Sequence, residues 1–436
     1  MQRYVSKMKA PAMEALDLAK RLGATAAKFN YFHSASHDVS FESNRLKSCS
    51  GEETQDYSIT VIVNHRRGNA RGNMMSAIPQ VVERAIALAK NGAVSHFDEY
   101  PAPAESYREI RSYSPSVNSL TSEKLVNDCQ GFVDRLLAAD SSLIVDAGGS
   151  ASETEILMAL SSGFCDEIHS SSWSIGGGFQ KTTGTDMLFS GAGRGWGELN
   201  SLYDFDALYD DAMFDLTHAA KIVKVTSGTV PLILPPSVVM RFFKPVFMGV
   251  DGRNVFKGTS PLQDRLHTQC FAKAINIQEE PFVDYAPGSM AYDGAGIPTQ
   301  KRMLIEDGVL NLFLYDYDTA CMAGTKPTGN SGCSPNSPRL LPGTVSSDEL
   351  IKSVKHGIYV QHMLGFGQTN MTNGDFSANL ALGFLIEDGE IVGRVKDTMI
   401  AGNVFELFKG DVQFSSDIHP NNRQPYMLLP DVTLNA

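Results

Sequence analysis

The residues of this chain that could do chemistry are few and scattered. His33 and His37 stand four apart with Asp38 beside the second, the spacing at which a helix would offer two imidazoles to one metal. No third ligand follows at metal-site spacing, and the segment reads as strands and a polar turn, so a solvated hairpin turn is expected there. Gly176-Gly177-Gly178 and Gly191-Ala192-Gly193-Arg194-Gly195-Trp196-Gly197 are rich enough in glycine to cradle a phosphate, which would require a strand before and a helix opening directly after. Glu198 and a polar stretch follow instead, and no Gly-Lys-Ser/Thr is present, so a flexible hairpin loop is expected. Cys333 lies in a Pro-, Gly- and Ser-rich loop from Gly332 to Pro338, where a thiol would be accessible. A cysteine peptidase would need His356 or His362, the histidines nearest in sequence, as its base. There is no Gly-x-Ser-x-Gly elbow of the common serine hydrolases. Residue chemistry therefore assigns no catalytic, cofactor-binding or metal-binding residue.

The background composition narrows the function classes. The 436 residues carry 37 basic and 49 acidic side chains, a formal charge of −12, which repels a polyphosphate at long range and disfavours nucleic acid as a partner. Lys244, Arg253 and Lys257 form a local basic group of the kind that is usually solvated. Hydrophobic residues at 42% and charged residues at 20% are ordinary globular usage. The six cysteines (Cys49, Cys129, Cys165, Cys270, Cys321, Cys333) are widely spaced, without a Cys-x-x-Cys pair, and read as reduced thiols. Met1 to Leu22 is amphipathic and rich in Lys and Arg, without the apolar run of an export signal, so a cytoplasmic protein is expected. The most apolar stretch, Val230 to Phe243, is broken by Pro231, Pro235 and Pro236 and is too short to span a bilayer.

The elements that must position these residues follow from periodicity. Pro11 opens a helix with Met13, Leu16, Ala19 and Leu22 on one stripe, stopped at Gly23. Short β-rich runs follow at Lys28–Phe32, Val39–Leu46 and Tyr57–Val63, then a helix from Pro79 with Val82, Ala85, Ile86 and Ala89 on one face, ended at Gly92. After a Pro-, Ser- and Tyr-rich linker, the pattern recurs: a helix over Thr121–Ala139, strands with Gly-rich turns over Ser142–Ser190, and a helix over Phe205–Val223. From Ser227 the chain is mainly hairpins, marked by Asp307-Gly308 and Asp388-Gly389 between β-forming runs. One helix interrupts them, Asp348–Lys355, with Ser346 and Glu349 as a capping box. The expected fold class is α+β: residues 1–92 and 120–226 as two helix–sheet–helix units, a candidate duplication, joined by a linker at 93–119 and followed by a larger, mainly antiparallel β domain at 227–436.

The most specific text lies in the last third: Thr328-Gly329-Asn330, Gly357-Ile358-Tyr359-Val360, Asn373-Gly374-Asp375-Phe376-Ser377, Ile386-Glu387-Asp388-Gly389-Glu390 and Ile400-Ala401-Gly402-Asn403. Singly each is turn or hairpin chemistry. In this order and spacing they resemble the C-terminal domain of the TldD/PmbA family, historically labelled modulators of DNA gyrase. Phe41-Glu42-Ser43-Asn44-Arg45-Leu46 and Ala85-Ile86-Ala87-Leu88-Ala89 resemble that family's first domain.

The resemblance implies a two-subunit metallopeptidase whose catalytic type, TldD, carries His-Glu-x-x-x-His, two imidazoles for zinc and a glutamate to polarise its water. Here the ten histidines are followed by Ser, Asp, Arg, Phe, Ala, Thr, Gly, Met or Pro, never Glu, and none lies between His218 and His267. After a Val-rich strand (Val230–Leu234) and short helix (Ser237–Phe243), the family's zinc position reads Phe243-Lys244-Pro245-Val246-Phe247-Met248-Gly249. Lys offers no lone pair when charged, and Pro is expected to break the helix there. The resemblance thus implies the PmbA (TldE) type: a non-catalytic subunit, inactive alone, holding no cofactor itself. It would form a heterodimer with a zinc-bearing TldD-type partner that degrades unfolded peptide, and a homodimer when that partner is missing. Two alternatives stand beside it: a stand-alone peptidase with an unrecognised site, and a gyrase-modulating DNA-binding protein.

Overall fold

The computed structural model describes residues 4–436. Helix α1 (Lys9–Arg21), strands β1 (Ala26–Glu42), β2 (Arg45–Val63) and β3 (Arg66–Gly72) and helix α2 (Ile78–Ala89) form the first unit. The same order returns in α3 (Ser122–Ala139), β4 (Ile144–Leu160), β5 (Cys165–Thr183), β6 (Asp186–Trp196) and α4 (Phe205–His218). The two units share one six-stranded sheet, ordered β3-β2-β1-β4-β5-β6. Its seam is the antiparallel pair β1–β4, with Lys28 opposite Leu160 and Phe41 opposite Ala147. Equal element order on both sides of the seam fits an old duplication, and superposing the halves is its test.

The helices cover one face. Ala27, Phe29 and Tyr31 of β1 pack with Leu16, Ala19, Val82 and Ala85, while Val39 and Phe41, on the same side of that strand, join Phe132 and Leu136 of α3. The short runs expected at Lys28–Phe32, Val39–Leu46 and Tyr57–Val63 are parts of two long strands, of 17 and 19 residues. The stretch between them is polar and largely exposed, so it lacks the apolar alternation that marks a half-buried strand, yet its backbone pairs continuously, His33 with Gln55 and Asp38 with Ser50. Ser43-Asn44 turns this hairpin with φ of 51° and 71°, as Asn64-His65 turns the next with 49° and 56°.

Beyond residue 226 come β7 (Gly228–Leu234), α5 (Pro236–Val250), α6 (Gly252–Phe256), β8 (Ile277–Glu279), β9 (Arg302–Glu306), β10 (Val309–Leu310), α7 (Tyr317–Ala323), β11 (Pro338–Leu340) and α8 (Ser347–Ser353). The chain ends with β12 (His356–Leu364), β13 (Asp375–Glu387), β14 (Glu390–Val395), β15 (Met399–Asn403), α9 (Val404–Leu407), β16 (Gln413–Ile418) and β17 (Pro425–Asn435). One sheet runs β12-β7-β17-β15-β13-β14, and β13 also pairs with β12, so five strands close a ring; a small sheet runs β10-β9-β8-β11. Pairing is antiparallel except between β7 and β12. Asp307-Gly308 and Asp388-Gly389 turn their hairpins with positive φ, and Ser346 and Glu349 form the capping box of α8.

β7 is apolar on both faces for a structural reason. Leu232 and Leu234 enter the ring's core with Phe242 and Phe243, whereas Ile233 faces the core shared with α3 and α4 of the first sheet. Residues 95–114 form no helix or strand and strap the two parts together: the His96 amide donates to Asp318 at 2.9 Å, the Tyr107 hydroxyl to the Gly296 carbonyl at 2.9 Å, and Arg111 Nε to Asp284 at 2.7 Å.

Candidate functional site

Helix α5 spans the segment in which the resemblance implies a zinc position. Pro235 caps it in an extended conformation and Pro236 begins it, where the missing N–H costs nothing. The expected break at Pro245 does not occur: α5 runs on to Val250 with Pro245 inside. An interior proline costs roughly 3 kcal/mol or more. Packing offsets it, since Phe242, Phe243, Val246 and Val250 are all buried. Phe242 meets Phe366 at 4.7 Å between ring centroids and Phe243 meets Phe408 at 4.6 Å. Ser237, Arg241 and Lys244 are exposed on the other side. From Pro236 to Val250 there is no His, Cys, Asp or Glu. The inner face of the helix is an aromatic wall, and the outer face offers cations.

The ordered motifs are structural joints around this helix. Glu279 on β8 is fully buried and accepts from Arg302 Nε at 2.7 Å, Asn330 Nδ2 at 2.6 Å and the Asn336 amide at 2.7 Å. Thr328-Gly329-Asn330 thus closes a buried ion pair with its hydrogen bonds met, the condition under which such a pair is tolerated. Asn403 caps α9 and reaches back to the Asn373 carbonyl and the Asp375 carboxylate, both at 2.8 Å. Gly374 has φ of +86°, and a Cβ there would lie 2.4 Å from Phe405.

The candidates singled out by residue type are placed differently from expectation. His33 and His37 lie within strand β1, in no turn; four residues along a strand is about 13 Å, too far to share a metal. His33 is buried, stacked on Tyr4 at 4.4 Å and hydrogen-bonded through Nε2 to Glu53 at 2.9 Å. The glycine runs are strand, not flexible loop: Gly176–Gly178 sit in mid-β5 against Gly191 and Gly193 of β6. A Cβ on Gly177 would lie 2.4 Å from Phe132, and one on Gly178 2.1 Å from the Ser190 carbonyl, so glycine here permits close approach of helix and strand. Cys333 is not accessible. It is fully buried, its sulfur accepts the Asp316 amide at 3.2 Å, and burial pushes the thiol up, away from the thiolate. His356 is exposed at the start of β12, and His362 lines another cavity. Arg253 is engaged by Asp251 at 3.1 Å and the Gly332 carbonyl at 2.6 Å.

Among the described residues, Glu153, Glu155 and His169 form the one group of three metal-ligand side chains whose donor atoms lie within 4.8 Å of one another. It sits on β4 and β5, far in sequence from α5. Its members are tied by other contacts: His169 Nε2 to Glu153 at 2.7 Å, the Val5 amide to Glu155 at 2.9 Å, and Tyr113 stacked on His169 at 3.7 Å.

A titratable cluster that residue type alone did not suggest lies where α4 and β6 meet the ring. Asp215 is 2% exposed, and burial pushes its carboxyl up to about 6 against the opposing hydrogen bonds from Ser190 at 2.6 Å and Gln361 at 2.8 Å. His362 and His419 border the same cavity, and burial lowers both imidazoles. A signal for Asp215 was present: Leu208, Ala212 and Asp215 share the buried stripe of α4, so an acid occupies an apolar position of the helical period.

Comparison with known proteins agrees with this architecture. The family model for the PmbA/TldA metallopeptidase C-terminal domain matches residues 227–436, and that for domain 1 matches residues 31–89. A metalloprotease of Methanothermobacter thermautotrophicus is 34% identical over 171 residues, 37% of each chain. A metalloprotease PmbA homolog of Haemophilus influenzae is 24% identical over 441 residues, 96% of this chain and 93% of that one. In several of these alignments, therefore, the chain spans well under half of the relative's length, 37% for the first and 40% for a Buchnera aphidicola TldD homolog. The fold is that of a modulator of DNA gyrase from Bacteroides thetaiotaomicron, with a TM-score of 0.90 at 21% identity over the whole of both chains, and of TldE from Thermococcus kodakarensis, 0.87 at 21% over 98% of this chain and all of that one. With two family models covering more than half of its length and relatives named metalloprotease PmbA and metalloprotease TldD homolog, the chain belongs to the PmbA/TldD metallopeptidase family.

Proposed function

We propose that this chain is the non-catalytic subunit of a two-subunit peptidase of its family, working in the cytoplasm on unfolded peptide beside a TldD-type partner that holds the zinc. One observation carries the reading: at the family's zinc position, α5 presents Phe243, Lys244, Pro245 and Val246, with no His, Cys, Asp or Glu between Pro236 and Val250. Phenylalanines that fill the core leave no room to aim ligands inward, and an ammonium cannot bind a cation. The six unpaired cysteines suit a reducing compartment. Without the partner, a symmetric homodimer is the expected state.

The test is hydrolysis of an unfolded peptide by the full chain, with and without a TldD-type protein from the same source, in zinc and then with a chelator. Activity found only in the mixture and lost on chelation supports the reading; cleavage by this chain alone overturns it. The gyrase-modulator alternative predicts salt-dependent retention of DNA, which a chain of charge −12 opposes.

A further inference from the structure

Metal-type side chains gather on the helix side of the first sheet, across the seam of its two units. Strand pairing sets His33 of β1 opposite Glu155 of β4, and Glu155 opposite His169 of β5. In the next row of the same face, Glu53 of β2 stands opposite Ala35, and Ala35 opposite Glu153. Imidazoles and carboxylates from four strands thus occupy two adjacent rows. Ala35, in the middle of them, is exposed, so the helices leave this spot open.

The charges of this cluster do not balance. Each imidazole already shares one carboxylate, His33 with Glu53 at 2.9 Å and His169 with Glu153 at 2.7 Å. Glu155 is 5% exposed, and among the described residues its one donor is the Val5 amide at 2.9 Å. No lysine or arginine among the described residues pairs with Glu53, Glu153 or Glu155. Two imidazoles can carry at most two positive charges against these three carboxylates, and buried charges are paired or hold a metal.

The donor geometry suits an ion. One ligand atom each from Glu153, Glu155 and His169 lie within 4.8 Å of one another. Around a four-coordinate ion with bonds of about 2.0–2.2 Å the donors stand roughly 3.3 Å apart, so side-chain rotation can close the set while the strands stay paired. The Tyr113 ring, stacked on His169 at 3.7 Å, orients the imidazole, and the Glu153 side chain, 39% exposed, gives an ion its way in. An imidazole beside two carboxylates suits zinc and its first-row neighbours better than magnesium or calcium, which favour oxygen alone. The proton of the His169 Nε2 bond to Glu153 stands where the ion would, so binding releases it.

We propose that Glu153, Glu155 and His169 bind one divalent transition-metal ion of zinc type, which ties β4 to β5. All three ligands come from this chain and none from α5, so the site stands whether or not the chain is catalytic.

The test is calorimetric titration of the chelator-stripped full chain with Zn2+, Mn2+ and Mg2+. One equivalent of Zn2+ per chain is expected, with a Kd of about micromolar or tighter, Mn2+ weaker and Mg2+ at least about a hundredfold weaker. The heat should change with the ionisation enthalpy of the buffer, as protons are released, and Zn2+ should raise the thermal unfolding midpoint. Glu155→Gln keeps an acceptor for the Val5 amide and should weaken Zn2+ at least about tenfold. Glu153→Gln, at a more exposed position, should do the same and decides the matter should the Glu155 variant fail to fold. His356→Gln, which removes an exposed imidazole outside the cluster, should leave binding unchanged. Several weak equivalents or a loss with His356→Gln, as for an adventitious ion only, would overturn the proposal. So would Mg2+ as tight as Zn2+, binding that survives both glutamine variants, or no heat at all, as when a protonated Glu155 balances the cluster.

Discussion

At the scale of single residues, the informative side chains are acids taken out of water. Asp215 has a folded-state pKa near 6, well above that of an unfolded aspartate. The folded protein therefore holds this proton more tightly, and the contribution of the site to stability is full below about pH 4 and is lost as pH rises through about 6. Asp215→Asn removes the titration. The stability of the wild type relative to that variant should fall by about 2 kcal/mol between pH 4 and pH 7.5 in urea unfolding; a difference independent of pH contradicts the burial argument. Glu279 is another buried acid, and it accepts hydrogen bonds from Arg302 and two asparagines. Glu279→Ala strands the guanidinium and should cost roughly 3 to 5 kcal/mol, read as a fall in the unfolding midpoint.

Elements carry the next set of consequences. The glycines of β5 are spacers, and they differ in what a methyl group would strike. On Gly177 it would meet the Phe132 ring, which can tilt; on Gly178 it would meet the Ser190 carbonyl of the neighbouring strand, which cannot move without breaking the ladder. Gly177→Ala should therefore cost about 1 kcal/mol and Gly178→Ala about 2 to 3 kcal/mol. Equal costs in denaturant unfolding would mean that the sheet yields more easily than its pairing implies. Helix α5 makes a related point: a proline inside a helix is a local penalty, and an aromatic core on both sides of it outweighs that penalty.

Considered whole, the molecule joins its first two units along the β1–β4 strand pair. Residues up to 92 contribute three strands of a six-stranded sheet, and removing the rest exposes the β1 edge from Lys28 to Phe41. A fragment of residues 1–92 should aggregate, since a long unpaired edge is a template for pairing. A soluble monomer by size-exclusion chromatography would show that the first unit is independent of the second.

Much was legible in the sequence, for a common reason: it is local. The helices beginning near Pro11, Pro79, Thr121 and Phe205, the hairpins at Asp307-Gly308 and Asp388-Gly389, and the capping box at Ser346 and Glu349 all depend on residues within a turn or two of one another. So does the lack of a His-Glu pair, a property of residue order alone. The tertiary structure decided what depends on distant partners. Strand β1 continues through a polar stretch because β2 and β4 pair with it on both sides; α5 passes Pro245 because Phe366 and Phe408 arrive from more than a hundred residues away. Cys333 became inert, and Asp215, His362 and His419 became neighbours, through burial and through closure of the ring on the first sheet. Neither has a signature in chain order, since burial and charge are set by what folding brings near.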